Sequence, residues 1–480
     1  MTITIPTADY LRILPELLLI VFGMLVMIVD PLLDESGDRK PVGILALIGA
    51  ILATAASAFG AGYTGFGFDG MIRVDTFSIF FHVLIGIISI VVILASFEYM
   101  QVQQLRSGEY YGLILLGTVG MMLMSSAVEL VLVFIALEIS SISTYILAGF
   151  RRRVAISVES SLKYFLLGSF ATAFFLYGVA LMFGATGSTS VYVIANTLRS
   201  GPSTLAYAGM AMMFVGLGFK VASAPFHIWT PDVYEGAPAP VVALMSTGPK
   251  AAAFAVLLRV LFGSSAPGWF WLIWASAILS MTIGNLGALV QNNVKRLLAY
   301  SSIAHAGYLL VAFAAAKEIG ISAAIFYTAA YAAMNVGAFV VISHFANLGE
   351  RYVTIDDYSG LGRRAPAMAA ILTVFLLSLI GIPITGGFLA KFYVFQAAMQ
   401  SHLVGLTIIG VINSAIASYY YLRVMVYMYM REPKSEVPCT PMAPALVVSL
   451  IACLVATIYL GVFPNRVLQY ALQSAHELVK

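Results

Sequence analysis

The chain has 480 residues, 61% hydrophobic and 10% charged, with a formal net charge of +3 and a mean hydropathy of +0.96. Soluble domains carry about a quarter charged residues, so the composition excludes an ordinary soluble enzyme and implies a polytopic membrane protein. Two cysteines cannot make a metal cluster, the scattered basic residues exclude a nucleic-acid patch, and the absence of a G-x-G-x-x-G or Walker-type loop argues against a nucleotide site.

Apolar stretches of about 18 residues or more cross the hydrocarbon core. By that measure the chain holds fourteen spans: 11–29, 42–61, 77–97, 110–127, 129–150, 158–183, 204–236 (broken), 239–262, 269–290, 297–316, 319–347, 367–399 (broken), 402–430 and 444–463. The first lacks the basic region and small-residue cleavage site of a signal peptide and reads as a retained span. Links are short. Only 185–203 and 348–366 have room for a small element, so no extramembrane domain is expected. Cys439 near a loop and Cys453 in an apolar helix read as bystanders. With the N-terminus outside, inner loops hold 13 Lys and Arg and outer segments 7, which predicts both termini on the outer face.

The stretch Gly216 to Ala252 stands out within these spans. It holds Lys220, Lys250, His227, Asp232, Glu235 and five prolines. Charges at bilayer depth are costly, and a proline removes a helix hydrogen bond. Such breaks are tolerated only when buried in protein or facing a water-filled cavity. The residues therefore predict a discontinuous helix around Pro225, with Lys220 and Lys250 on a path for ions or protons. A second break is expected in GIPITGGFLAKFYVF, where Pro383 and Gly386-Gly387 precede Lys391. Two interrupted helices at corresponding places predict an inverted repeat: 1–109 as three N-terminal helices, 110–262 and 269–430 as the two five-helix units, and 444–463 as the last helix.

Five basic residues lie within spans: Lys163, Lys220, Lys250, Lys391 and Arg423. Glu138 stands alone in mid-span and is the expected partner of Lys220, although a structural ion pair is the bland alternative. His305 lies among small residues that permit close helix packing, where a satisfied core histidine is the alternative. Lys163 is about five residues into its span and can snorkel, so it reads as a tuner of neighbouring charge. His227 follows the Pro225 break and could line an inner half-channel. Lys295 marks the inner end of its span and is a possible auxiliary. Arg423 reads as structural, because a guanidinium is effectively always charged. Lysine suits a relay, since a buried ammonium gives up its proton when nearby charge changes. Glu138, Lys220, Lys250, His305 and Lys391 would then form a hydrophilic axis for protons rather than a site of bond-making.

Four segments carry a family resemblance: KVASAPFHIWTPDVYEGAPAPV, LEISSISTYILAGF, QNNVKRLLAYSSIAHAGYLL and GFLAKFYVF. Together with the N-terminal LPELLLIVFGMLVMIVD, they resemble the antiporter-like membrane subunits of respiratory complex I (NADH-quinone oxidoreductase), subunit N in particular, over nearly the whole chain. The resemblance implies an all-α polytopic membrane protein of about 14 transmembrane helices, with two inverted five-helix repeats and broken helices 7 and 12. It implies proton-relay roles for Glu138, Lys220, Lys250 and Lys391; lysine at the last position fits subunit N, where subunit M is typically glutamate. It also implies that the chain binds no cofactor or metal itself. NADH, FMN, iron–sulfur clusters and quinone would be handled by other subunits, and the partners would be subunit M, small subunits such as K, and the lipid of a bacterial plasma (inner) membrane. A subunit of a multi-subunit cation/proton antiporter is the alternative, since it needs the same buried groups. An organic-solute carrier fits less well, because the charges are spaced in single file rather than gathered in a pocket.

Overall fold

In a bilayer every backbone polar group must be satisfied within the protein, which leaves helices as the solution for isolated apolar runs. The computed structural model describes residues 6–34, 37–199, 201–264, 268–315, 317–433 and 441–479. Its N-terminal part holds α1 (Thr7–Arg12), α2 (Leu14–Val29) and α3 (Lys40–Phe59), a small antiparallel hairpin of β1 (Gly65–Gly67) and β2 (Ile72–Val74), and then α4 (Thr76–Val102). Next come α5 (Glu109–Ser126), α6 (Leu130–Ala148), α7 (Ala155–Thr186), the short α8 (Val191–Arg199), α9 (Thr204–Val221), α10 (Trp229–Gly236), α11 (Ala239–Met245) and α12 (Gly248–Ser264). The remainder is α13 (Gly268–Leu289), α14 (Val294–Ala314), α15 (Glu318–Phe345), α16 (Leu361–Arg364), α17 (Pro366–Ile380), α18 (Gly386–Gln400), α19 (Val404–Met430), α20 (Pro444–Val462) and α21 (Asn465–Val479).

All fourteen predicted spans coincide with a helix or a helix pair. Among the described residues, 12 spans are long and apolar enough to cross a membrane by themselves. The other two are α5, which begins with Glu109 and two tyrosines, and the pair α17–α18, each half of 15 residues. Large apolar side chains such as Phe165, Phe170 and Tyr177 on α7 point outward, as expected of a multi-pass protein whose rim meets lipid. Helices without a hydrophobic drive toward each other pack through small residues. On α7 and α9, a side chain added at Gly178 would stand 2.7 Å from the Gly209 carbonyl.

Both expected breaks are present, and the neighbours repair their backbones. After α9, Ala222 adopts a left-handed conformation and the chain runs unwound to α10. Ser280 accepts the Ala224 amide at 2.7 Å, Ser276 donates to the Ala224 carbonyl at 2.7 Å, and the Trp229 indole donates to the Phe219 carbonyl at 3.1 Å. After α17, Gly381 has φ +94°, a conformation favoured by glycine. The Gly387 amide then donates to Ser378 Oγ at 3.1 Å.

Three features depart from the sequence expectation. The span 239–262 is kinked at Ser246-Thr247 into α11 and α12, because Pro249 cannot donate to the Met245 carbonyl. The hairpin adds two short strands to an otherwise helical chain. Finally, α21 lies against α4, α12 and α15, tied down by Glu477, which accepts from the Thr76 amide and hydroxyl at 2.8 Å each. The link 185–203 holds α8, and 348–366 holds α16 with two single helical turns, as their lengths allowed. Cys453 is buried in α20, while Cys439 lies outside the described residues.

Candidate functional site

The first break presents Lys220 at the last turn of α9, 6% exposed. Its ammonium donates to the Tyr145 hydroxyl of α6 at 3.2 Å. The same nitrogen lies 5.0 Å from the centre of the Tyr145 ring and 5.6 Å from that of Tyr164, so aromatic faces supply part of its solvation. Glu138 lies on α6 seven residues before Tyr145, on the same helical face, and its Oε1 is buried without a hydrogen-bond partner. The expected Glu138–Lys220 ion pair is not among the described contacts. Tyr145 is the group that Lys220 holds instead, because it comes from the same face one turn pair further along. From Lys220 an aromatic stack leads inward: Tyr164 lies 4.4 Å from Trp229, and Trp229 meets Tyr234 edge-on at 5.9 Å. The buried hydroxyls of Thr230 and Tyr234 have no hydrogen-bond partner, which marks a polar lining able to hold water.

Past the α11–α12 kink, Lys250 is 3% exposed. It donates to the Ser302 hydroxyl at 2.5 Å and the Ser302 carbonyl at 3.1 Å. Tyr331 donates to the same hydroxyl at 2.8 Å. One turn further along α14, His305 Nδ1 is hydrogen-bonded to the Tyr327 hydroxyl at 2.6 Å, and its Nε2 is 3.4 Å from the Tyr421 hydroxyl. Tyr421 is in turn hydrogen-bonded to Ser301. His305 also faces Tyr308, 5.7 Å between ring centres. The Lys391 ammonium lies 4.9 Å from the centre of the Tyr308 ring. At the second break Lys391 donates to the Leu379 and Ile380 carbonyls at 3.1 and 2.8 Å and to Ser414 at 2.9 Å. It thus occupies carbonyls that the end of α17 would otherwise leave unpaired. Lys250, His305 and Lys391 are therefore joined through Ser302 and a set of buried tyrosines.

The auxiliary candidates gather elsewhere. Lys163 pairs with Glu159 at 2.7 Å and with Asp232 at 2.8 Å, its side chain 41% exposed. Arg296 bridges Asp232 and Glu235 at 2.7 Å each. Lys163 thus belongs to an ion-pair cluster on α10 rather than to the buried line. His227 sits in the break itself, with Nδ1 buried and unpartnered. Lys295 is fully buried and donates to Glu350 and to the Ala237 carbonyl at 2.6 Å each. Glu350 also takes Arg151 at 3.1 Å, the Tyr99 hydroxyl at 2.9 Å and the Ala239 amide at 2.8 Å. Burial pushes the Glu350 carboxyl up, but Lys295 and then Arg151 outweigh it and hold the carboxyl below the ordinary range. Arg423 donates to the Leu289 and Gln291 carbonyls at the end of α13, the structural role expected of it.

Sequence reasoning missed two kinds of residue here. Tyr145, Tyr308, Tyr327, Tyr331 and Tyr421 link the charged groups, yet a tyrosine in an apolar helix gives no signal of its own. Glu350 gave none either, because an acid in a link between spans is ordinary.

Comparison with known proteins follows the same lines. Residues 127–417 match the family described as NADH:quinone oxidoreductase/Mrp antiporter, TM. The chain is 68% identical to NADH-quinone oxidoreductase subunit N 2 of Koribacter versatilis (strain Ellin345), covering 99% of each chain. It is 48% identical to subunit N 1 of Solibacter usitatus (strain Ellin6076), covering 98% of each. Among solved structures, a chain of respiratory complex I from Thermus thermophilus with bound aureothin superposes with a TM-score of 0.82 at 37% identity, over 95% of this chain and 98% of that one. With the two broken helices and the buried lysines in place, the chain belongs to the subunit N group of the NADH:quinone oxidoreductase/Mrp antiporter membrane family.

Proposed function

We propose that the chain is the subunit N of an NADH-quinone oxidoreductase and moves protons across the membrane while other subunits carry electrons from NADH to quinone. The observation that carries this reading is the buried line from Lys250 through Ser302 and His305, with its tyrosines, to Lys391. Every group in it either holds a proton or can pass one along a hydrogen bond. Glu138 and Lys220 extend the line toward the first break. Along such a line, a charge change at one end alters how firmly the next lysine holds its proton. In this reading 110–262 and 269–430 are two inverted repeats, each contributing one broken helix. NADH, FMN, iron–sulfur clusters and quinone are handled by partner subunits, and subunit M and small subunits such as K are the membrane neighbours. The chain sits in the bacterial plasma (inner) membrane with both termini on the outer face, in line with the Lys and Arg asymmetry of its loops.

The test replaces Lys220 or Glu138 by alanine and measures quinone-dependent proton pumping in membranes that hold the assembled complex. Pumping is expected to fall to a small fraction of the wild-type rate. Unchanged pumping with normal assembly removes the substituted residue from the relay. The family description also names antiporters, so co-purification separates the two readings. Isolation with redox subunits supports the first, and isolation with antiporter subunits alone replaces it.

A further inference from the structure

The three N-terminal spans (α2, α3 and α4) precede the first of the proposed repeats, yet they bury another pair of ionisable groups. Glu16 stands in the first turn of α2 and His82 in the second turn of α4. The His82 Nε2 is 3.6 Å from Glu16 Oε1, with the two side chains 4% and 3% exposed. Neither Glu16 carboxyl oxygen has a hydrogen-bond partner. His82 Nε2 donates instead to the Met122 carbonyl of α5 at 3.0 Å.

Among the described residues, no other charged side chain is ion-paired or hydrogen-bonded to Glu16 or His82; the exposed Arg466 of α21 lines a surface recess with Val83 and Leu84, the neighbours of His82. Asp75, seven residues before His82, is engaged by Arg259 of α12 at 3.0 and 2.8 Å and by Arg73 at 3.3 Å. Asp9 and Arg12 of α1 pair with each other at 2.6 Å. Lys40 opens α3 and Glu109 opens α5, each at the end remote from Asp75, and Glu98 lies a further sixteen residues along α4, held by His344. On α12 Lys250 is held by Ser302; on α15 Glu318 and on α21 His476 pair at 3.1 Å, and Glu477 is held by Thr76. An ionised Glu16 without donors would be a buried, uncompensated charge, which such surroundings disfavour strongly. With one proton between them the two groups are neutral overall. Without it they carry one negative charge, and with a second, one positive charge.

We propose that Glu16 and His82 form a proton-binding site, separate from the Glu138–Lys391 line, that holds one exchangeable proton in the N-terminal helices. In the resting state the proton is on a Glu16 oxygen beside neutral imidazole. Its release breaks that O–H bond, leaves the carboxylate, and passes the proton to water. Only the use of this proton in turnover rests on the proton-moving function proposed above. Met121, the neighbour of Met122, packs beside Gly248 at the start of the Lys250 helix.

The test is infrared difference spectroscopy of the intact complex in native membranes, titrated in pH and repeated in D2O. The wild type is expected to show a protonated-carboxyl band that moves in D2O, is lost in Glu16→Gln and shifts in His82→Gln. A spectrum that Glu16→Gln leaves unchanged, or a Glu16 band indifferent to His82→Gln, overturns the proposal. If Glu16→Gln does not assemble, Glu16→Asp decides: a displaced acid band supports the site, and an unaltered spectrum overturns it. Normal pumping by Lys220→Ala would sink the relay reading while leaving this band to be judged by itself.

Discussion

Glu350 illustrates how much a single carboxylate can hold at a junction. It accepts from Lys295, Arg151, Tyr99 and Ala239, and so ties the start of α14 to the α6–α7 link, the end of α4 and the start of α11. Replacing it by glutamine keeps the shape but leaves two buried cations without a counter-charge, which costs about 3–5 kcal/mol. Because the folded carboxyl titrates below its unfolded value of about 4.5, its contribution is fully present above that pH and fades as pH falls through the folded value. Glu350→Gln should therefore lower the thermal stability of the detergent-extracted complex at neutral pH. The gap to wild type should narrow only under acid conditions. Thermal denaturation at a series of pH values checks both, and a gap that stays constant into acid would show that charge is not the cause.

At the scale of elements, the second break depends on a close approach. A methyl group on Gly387 would lie 1.9 Å from the Ser378 carbonyl oxygen, so no side chain fits without moving α18 away from α17. Gly387→Ala should cost about 1–3 kcal/mol from overpacking and shift Lys391 from the Leu379 and Ile380 carbonyls. Assembly measured by native gel, together with pumping, should both fall; wild-type values for both would show that the break absorbs the methyl group. The two breaks were legible in the sequence because proline and paired glycines interrupt long apolar runs. Lys220, Lys250, Lys391 and Glu138 were legible because charge is scarce in such runs. The kink at Ser246-Thr247 was not, since Pro249 in the first turn of a helix is unremarkable. The helix α21 escaped because an amphipathic segment falls below the apolar length that marks a span. The connecting tyrosines were hidden for a different reason: with 25 in the chain, only tertiary contact distinguishes those beside His305 from those facing lipid.

Across the whole molecule, the groups of the proposed relay come from several helices, so such a relay would be a property of the assembled bundle. Lys250 comes from α12, His305 from α14, and Lys391 from α18 after the second break. No one of these helices carries a continuous path. If the line works as one device, interrupting it twice does little more than interrupting it once, because residues that act as a unit give strongly non-additive losses. Lys250→Ala and Lys391→Ala should each reduce quinone-dependent pumping to a small residual. The double variant should pump no less than the weaker single variant, to within about twofold by the usual spread of distant-site additivity. Losses that multiply in the double variant would mean two independent routes, one per repeat. Replacing His305 by alanine distinguishes these outcomes further, since a single line loses pumping at the link between Lys250 and Lys391, whereas two parallel routes each keep their own lysine and continue to work.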